Sequence, residues 1–205
     1  LIRGGAAGSV WRLALARPSG EDADRLIADW ATLPDRVDAA RYSRALRSRQ
    51  SLAVRALARR LLEQELGLKR DQWRLEHDET GRPRLCSLSG AAYDISFSHS
   101  RDLVACGVAE RGRIGVDVEF IDPDRPFEEL ADAYLSPEEA QQVRRDGARA
   151  FYAAWTMHEA RTKATGPATR ESPPLGASGQ PPLSVWKETV FGDYAAAVIV
   201  CGSGP

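Results

Sequence analysis

Along the first half of the chain the spacing of apolar positions changes several times, and each change marks an element. Residues 10–16 form a short apolar run that closes at Pro18-Ser19-Gly20, as a first strand ending in a turn does. Leu26, Ile27 and Trp30 recur at helical spacing, so a helix is expected from Glu21 to about Trp30, with Ser19 as its cap and Pro34 as its break. The helical period returns over 35–66, with Leu52, Leu57, Leu61, Leu62 and Leu66 on an inner face and Gly67 where the helix ends. Residues 73–77 read as a strand and 79–83 as a turn. Three more strands are expected at 95–98, 103–109 and 114–120; the middle one is almost wholly apolar, as a strand covered on both faces must be.

Past Asp122-Pro123-Asp124 the pattern is helical again. Ser136-Pro137-Glu138-Glu139 joins an N-cap, a proline in the first turn and acidic residues at the positive end of the helix dipole. A longer helix is expected over about 148–165, ending at Gly166. Residues 167–182, dense in Pro, Gly and Ser, read as a mobile loop, and 183–190 and 193–200 as a closing pair of strands around Phe191-Gly192. Helices followed by strands, twice over, give an α+β chain compatible with two similar α/β halves meeting near residue 112, without a repeat at the residue level. The opening nine residues, rich in Gly and Ala, read as a frayed end.

Composition narrows the classes. The chain has 205 residues, 43% of them hydrophobic and 28% charged, as in ordinary globular proteins. A net charge of −1 argues against a general affinity for nucleic acid or anionic membrane. Positive charge is nevertheless concentrated: eight arginines (36, 41, 44, 47, 49, 55, 59 and 60) fall in one stretch, whereas the whole chain has three lysines, Lys69, Lys163 and Lys187. Such a helix is either a solvated face or a phosphate-binding one, and charge alone does not choose. Cys86, Cys106 and Cys201 form no metal or disulfide pattern. No stretch has the length of a membrane span and no signal-peptide pattern opens the chain, so a cytoplasmic protein is expected.

Asp117 and Glu119 lie two apart on an expected strand, so both side chains leave one face. Adjacent carboxylates repel unless a proton or cation lies between them, and oxygen ligands of this kind suit Mg²⁺ beside phosphate. A solvated strand face is the plainer reading; Gly115 just before the pair, in an otherwise apolar strand, shifts the weight. Glu159 and Lys163 stand one helical turn apart with Trp155 a turn earlier, which is either a surface ion pair or a third carboxylate and a phosphate-binding cation. His99, flanked by Ser98 and Ser100, and Arg82 after Gly81 add donors suited to phosphate.

Four segments stand in a telling order: Gly81-Arg82-Pro83, Ser98-His99-Ser100, Gly115-Val116-Asp117-Val118-Glu119, and Trp155-Thr156-Met157-His158-Glu159-Ala160-Arg161-Thr162-Lys163-Ala164-Thr165-Gly166. From about Arg36 to Gly166 the chain resembles the 4′-phosphopantetheinyl transferases of the surfactin-synthetase-activating type, with a looser likeness in the closing strands. The resemblance implies a pseudo-dimer of two α/β halves with coenzyme A in the cleft between them. Residues 1–112 would serve the nucleotide end, and 113–205 would carry the metal site and the catalytic helix. By position, Asp117, Glu119 and Glu159 match the metal-binding carboxylates, Glu159 also the general base, and Lys163 the lysine that contacts the transferred phosphate. Gly81, Arg82, Ser98 and His99 match positions at the nucleotide end; Arg49 falls near another, with Ser51 or Arg41 as alternatives. The implied reaction moves phosphopantetheine from coenzyme A to a serine of an apo acyl or peptidyl carrier protein. It uses Mg²⁺, with Mn²⁺ as the alternative metal, in a monomer.

Two departures stand out: His158 replaces the usual lysine, and Pro167-Ala168-Thr169-Arg170 replaces a second glycine and a hydrophobic segment. Two other classes fit parts of the pattern. A metal-dependent nuclease pairs carboxylates with a lysine, but Ile121 occupies the place where that lysine is expected. A nucleic-acid-binding arginine helix conflicts with the net charge and the lack of interleaved aromatics.

Overall fold

Gly4 gives the opening residues a role that their composition hides. A side chain there would overlap the indole of Trp11. Without one, Ile2–Ala6 (β1) pairs antiparallel with Ser9–Ala16 (β2), with Gly4 opposite Trp11. The frayed end expected from the glycines is therefore a strand, and its glycine is a close-approach site. The computed structural model describes residues 1–6, 9–87, 93–166 and 184–202; the loop expected over 167–182 lies outside them.

Helix α1 (Glu21–Trp30) follows with the expected bounds, but its N-cap is Gly20 at φ 89°, not Ser19. Pro34 starts a helix instead of only breaking one. It sits in the first turn of α2 (Leu33–Ala39), where a missing N–H costs nothing. Asp35 there accepts hydrogen bonds from the Thr32 amide (2.8 Å) and hydroxyl (2.7 Å). The single helix expected over 35–66 is thus two, α2 and α3 (Ala45–Arg60), the latter widening into a π-helical turn over Leu61–Glu65. A hairpin of β3 (Trp73–His77) and β4 (Pro83–Ser87) comes next, the second strand unforeseen. Strands β5 (Asp94–Ser100) and β6 (Leu103–Ala109) then join β1 and β2 in a four-stranded sheet, order β1-β2-β6-β5. His99 lies within β5 and not between strands.

Strand β7 (Arg113–Phe120) opens the second part. Helices α4 (Phe127–Tyr134), α5 (Pro137–Asp146) and α6 (Ala148–Thr165) follow, then β8 (Ser184–Val190) and β9 (Tyr194–Cys201). The last three strands form a second antiparallel sheet, order β7-β9-β8.

Alternation along the strands explains the layering. On β6, Val104, Cys106 and Val108 pack with Leu57, Leu61 and Leu62 from α3 and its extension, while Leu103, Ala105 and Ala109 pack with Ile114, Val116 and Val198 of the second sheet. All seven residues of β6 are buried because both faces are covered. On β9, Val198 and Val200 face the first sheet, whereas Ala197 and Ile199 meet Ala160 and Ala164 of α6. The order is helix, sheet, sheet, helix. Two glycines set the spacing: a side chain at Gly107 would overlap Val116, and one at Gly115 would overlap the Ala160 carbonyl oxygen and come within 2.8 Å of the Ala164 amide nitrogen. At Gly115 the backbones of β7 and α6 nearly touch.

Candidate active site

Gly115, Asp117 and Glu119 share one face of β7, the face against which α6 lies. The close approach at Gly115 carries α6 onto the carboxylates further along. Lys163 Nζ donates to Asp117 Oδ1 (2.7 Å), to Ser98 Oγ (3.2 Å) and to the Val116 carbonyl (3.0 Å). An ammonium group has three protons, and all three are engaged.

A cavity of about 530 Å³ opens here. Asp117, Glu119, Trp155, Glu159 and Lys163 line it from the second part of the chain; Tyr42, Arg47, Ser51, Arg55, His77, Gly81, Ser98 and His99 line it from the first. Most of the sequence-derived residues are thus gathered in one place, and Trp155, Glu159 and Lys163 share it as their helical spacing requires. Arg49 and Arg82 do not line it. Arg49 is two positions from Arg47 and Ser51, so on a helix it leaves the opposite side; its guanidinium bonds the Pro18 carbonyl and Asp24. Arg82 reaches the Lys163 carbonyl, Asp94 Oδ2 (2.6 Å) and the Ile114 carbonyl (2.9 Å), and so ties four segments together. His158 also lies outside the lining, its ring stacked on Trp155 at 6.4 Å.

The sequence reading missed Arg47, Arg55, His77 and Tyr42. The signal was present: Arg47, Ser51 and Arg55 recur every four residues, one stripe of α3. Tyr42 stacks under the Arg47 guanidinium at 4.6 Å, and Arg55 Nη2 meets His77 Nε2 at 3.0 Å. Arg55 is buried, with Asp35 and Asp38 at 3.9 and 3.7 Å. The cavity therefore has guanidinium and imidazole groups from the first part and carboxylates from the second.

Electrostatics follow from burial. Desolvation pushes the Asp117 carboxyl up, against the pull of Lys163 and Ser98. It pushes Glu119 up as well, opposed by the Ser100 hydroxyl and reinforced by the neighbouring charge of Asp117. His99 is driven down to about 4 by desolvation and then by the charges of Arg47 and Lys163, so it is neutral at neutral pH and donates from one ring nitrogen only. His77 is lowered by burial and by Arg55.

Among the described residues Asp117 Oδ2 is buried without a hydrogen-bond partner, whereas Oδ1 has two. Two carboxylates raised by burial, one with an orphaned oxygen, form a donor set that a hard divalent cation would satisfy. Among the described residues no three acidic, histidine or cysteine side chains stand close enough to form a ready-made metal cluster. Asp117 is instead neutralised by Lys163.

Residues 113–198, which include β7, α6 and the first part of β9, match the family model of the 4′-phosphopantetheinyl transferase superfamily. The chain is 29% identical over 164 residues to the 4′-phosphopantetheinyl transferase HetI of Nostoc sp., covering 77% of this chain and 68% of that protein. It is 29% identical over 130 residues to the putative 4′-phosphopantetheinyl transferase slr0495 of Synechocystis sp., covering 62% and 53%. It is 31% identical over 94 residues to the 4′-phosphopantetheinyl transferase AcpT of Salmonella typhimurium, covering 44% and 48%. The chain thus spans about half the length of two of these relatives. Together the matches support an enzyme of this transferase type and lend nothing to a nuclease or a nucleic-acid-binding module. No helix among the described residues is long and apolar enough to cross a membrane.

Proposed function

We propose that this chain is a 4′-phosphopantetheinyl transferase of the surfactin-synthetase-activating type, which moves phosphopantetheine from coenzyme A to a serine hydroxyl of an acyl or peptidyl carrier protein and releases 3′,5′-ADP. The observation that carries the reading is one cavity in which Asp117, Glu119, Glu159 and Lys163, all within the family match, face Arg47, Arg55 and His99. A helix lies against a sheet in each part, α3 on the first and α6 on the second, which supports two related halves with coenzyme A between them.

Transfer of a phosphoryl group depends mainly on positioning and on stabilising charge at the bridging oxygens. Asp117, Glu119 and Glu159 would hold the divalent cation, Mg²⁺ or Mn²⁺. When bound, it supplies positive charge to the diphosphate and lowers the cost of the leaving group's negative charge. Lys163 holds Asp117 now and exchanges one of its three acceptors for a phosphate oxygen when coenzyme A enters. Glu159, whose carboxylate has no hydrogen-bond partner among the described residues, takes the proton of the attacking serine. His99 donates one hydrogen bond, and Arg47 and Arg55 supply fixed positive charge for the nucleotide phosphates. Gly81, at φ 81° with open space where a side chain would stand, lets the substrate approach the backbone. The role expected of Arg49 passes to Arg47, and Arg82 holds the halves together.

The test is product formation. With coenzyme A, Mg²⁺ and an apo carrier protein, 3′,5′-ADP should appear in step with the loss of apo carrier, and EDTA should stop both. Release of 3′,5′-ADP at the same rate without a carrier would make the chain a hydrolase instead.

A further inference from the structure

Strand β5 carries polar side chains at every second position, Asp94, Ser96, Ser98 and Ser100, and this row does something that hydrogen bonding between two strands ordinarily does through the backbone. β5 is an edge of the first sheet, and β7 is an edge of the second. The two are joined by side chains: Asp94 Oδ2 accepts the amide of Ile114 (2.7 Å), Ser96 Oγ that of Val116 (3.1 Å), Ser98 Oγ that of Val118 (3.2 Å) and Ser100 Oγ that of Phe120 (3.1 Å). The odd-numbered neighbours Ile95 and Phe97 face α3, so the even row faces the second sheet.

The last two members make a second bond. A serine hydroxyl that accepts an amide still has its own proton to give. Ser98 gives it to Asp117 Oδ1 (2.8 Å), and Ser100 gives it to Glu119 Oε2 (2.7 Å). The geometry is the same twice: each hydroxyl accepts the amide of one residue and donates to the carboxylate of the residue before it. One oxygen of each carboxylate is fixed, and for Asp117 the other, Oδ2, is buried without a hydrogen-bond partner among the described residues. Ser98 has its single proton committed to Asp117, so it has none to offer a phosphate.

We infer that Ser98 and Ser100 are positioning residues that orient Asp117 and Glu119 for the divalent cation, and that Ser96 has only the structural half of this role. The inference rests on the transferase reading above. Groups that hold a metal-binding carboxylate in place typically change metal affinity by about 10–100-fold when removed. Ser96 is the internal control, because its hydroxyl joins the sheets in the same way and touches neither carboxylate.

The experiment is a Mn²⁺ titration followed by the electron paramagnetic resonance of the free ion, on protein saturated with coenzyme A, with thermal melting recorded in parallel. Ser100→Ala should weaken Mn²⁺ binding by about 10–100-fold, Ser100→Thr should restore most of it, and Ser96→Ala should lower the melting temperature without changing Mn²⁺ affinity. If Ser100→Ala does not fold, Ser100→Cys, which keeps the bulk and weakens the donor, should show the same loss. Unchanged affinity in the folded Ser100 variants, or an equal loss in Ser96→Ala, would overturn the inference while leaving the transferase reading intact. A parent protein that binds no Mn²⁺ and modifies no carrier would overturn that reading, and the inference with it.

Discussion

Asp117 Oδ2 is buried without a hydrogen-bond partner among the described residues, and desolvation has already pushed its carboxyl up. A divalent cation that meets it removes that strain, so Mg²⁺ should stabilise the fold as any ligand of the native state does. At a hundred times the dissociation constant the gain is about 2.7 kcal/mol. Thermal melting should therefore move upward with Mg²⁺ in the parent and stay fixed in Asp117→Asn; a response retained by the variant removes Asp117 from the metal site. His99 gives a second residue-level prediction. Its imidazole titrates near 6.5 when unfolded and is pushed down to about 4 in the fold, so between those values the unfolded chain binds more protons. Its contribution to stability is complete above 6.5 and is lost as the pH falls toward 4. The residue stands in the cavity wall with much of its surface open to solvent, so screening reduces the effect to a fraction of what the shift implies. His99→Asn should flatten the stability curve in that window. Denaturant midpoints measured across it check this, and an unchanged slope counts against the assignment.

Among the elements, α6 matters most for the proposed chemistry, since it carries Glu159 and Lys163. Its position is set where Gly115 leaves no side chain between β7 and the Ala160 carbonyl. Gly115→Ala must push helix and strand apart. Overpacking of this kind costs about 1–3 kcal/mol, occasionally more, and the displacement should lower the transfer rate well beyond what the loss of folded protein explains. Equal rates per folded molecule would show that α6 tolerates the shift. The bounds of α6 were legible in the sequence because the helical stretch over about 148–165 runs into Gly166. β6 was legible because both of its faces are apolar. β1 was hidden because Gly4 is an ordinary loop signal until Trp11 is seen to lie over it. The break between α2 and α3 was hidden because the helical period runs through residues 40–44 without a proline or glycine. In the site, strand alternation put Asp117 and Glu119 on one face, and Gly115 before them together with the resemblance singled them out. Arg47 was missed for Arg49 because charge in α3 was counted and not sorted by face, and the row from Asp94 to Ser100 was missed because the strand was expected only over 95–98, which leaves both ends of the row outside it.

At the scale of the molecule, two sheets with a helix against each are held together by an apolar layer and by side chains that cross it. Arg82 is one of these, since it reaches Asp94, Ile114 and the end of α6 together. Hydrogen bonds to a charged group are worth about 1.5–3 kcal/mol each. Arg82→Ala should therefore cost about 2–4 kcal/mol of stability, with a smaller effect on coenzyme A affinity measured at a temperature where the variant is folded. The reverse ranking would return Arg82 to the nucleotide site. Both parts of the chain wall one cavity, with guanidinium and imidazole groups from the first and carboxylates and Lys163 from the second, an arrangement that the proposed transfer would use. The most direct test is mass spectrometry of an apo acyl or peptidyl carrier protein after incubation with this chain, coenzyme A and Mg²⁺. The carrier serine should gain the mass of one phosphopantetheine with the parent and almost none with Glu159→Gln. An unmodified carrier with the parent, or full modification with the variant, would contradict the assignment.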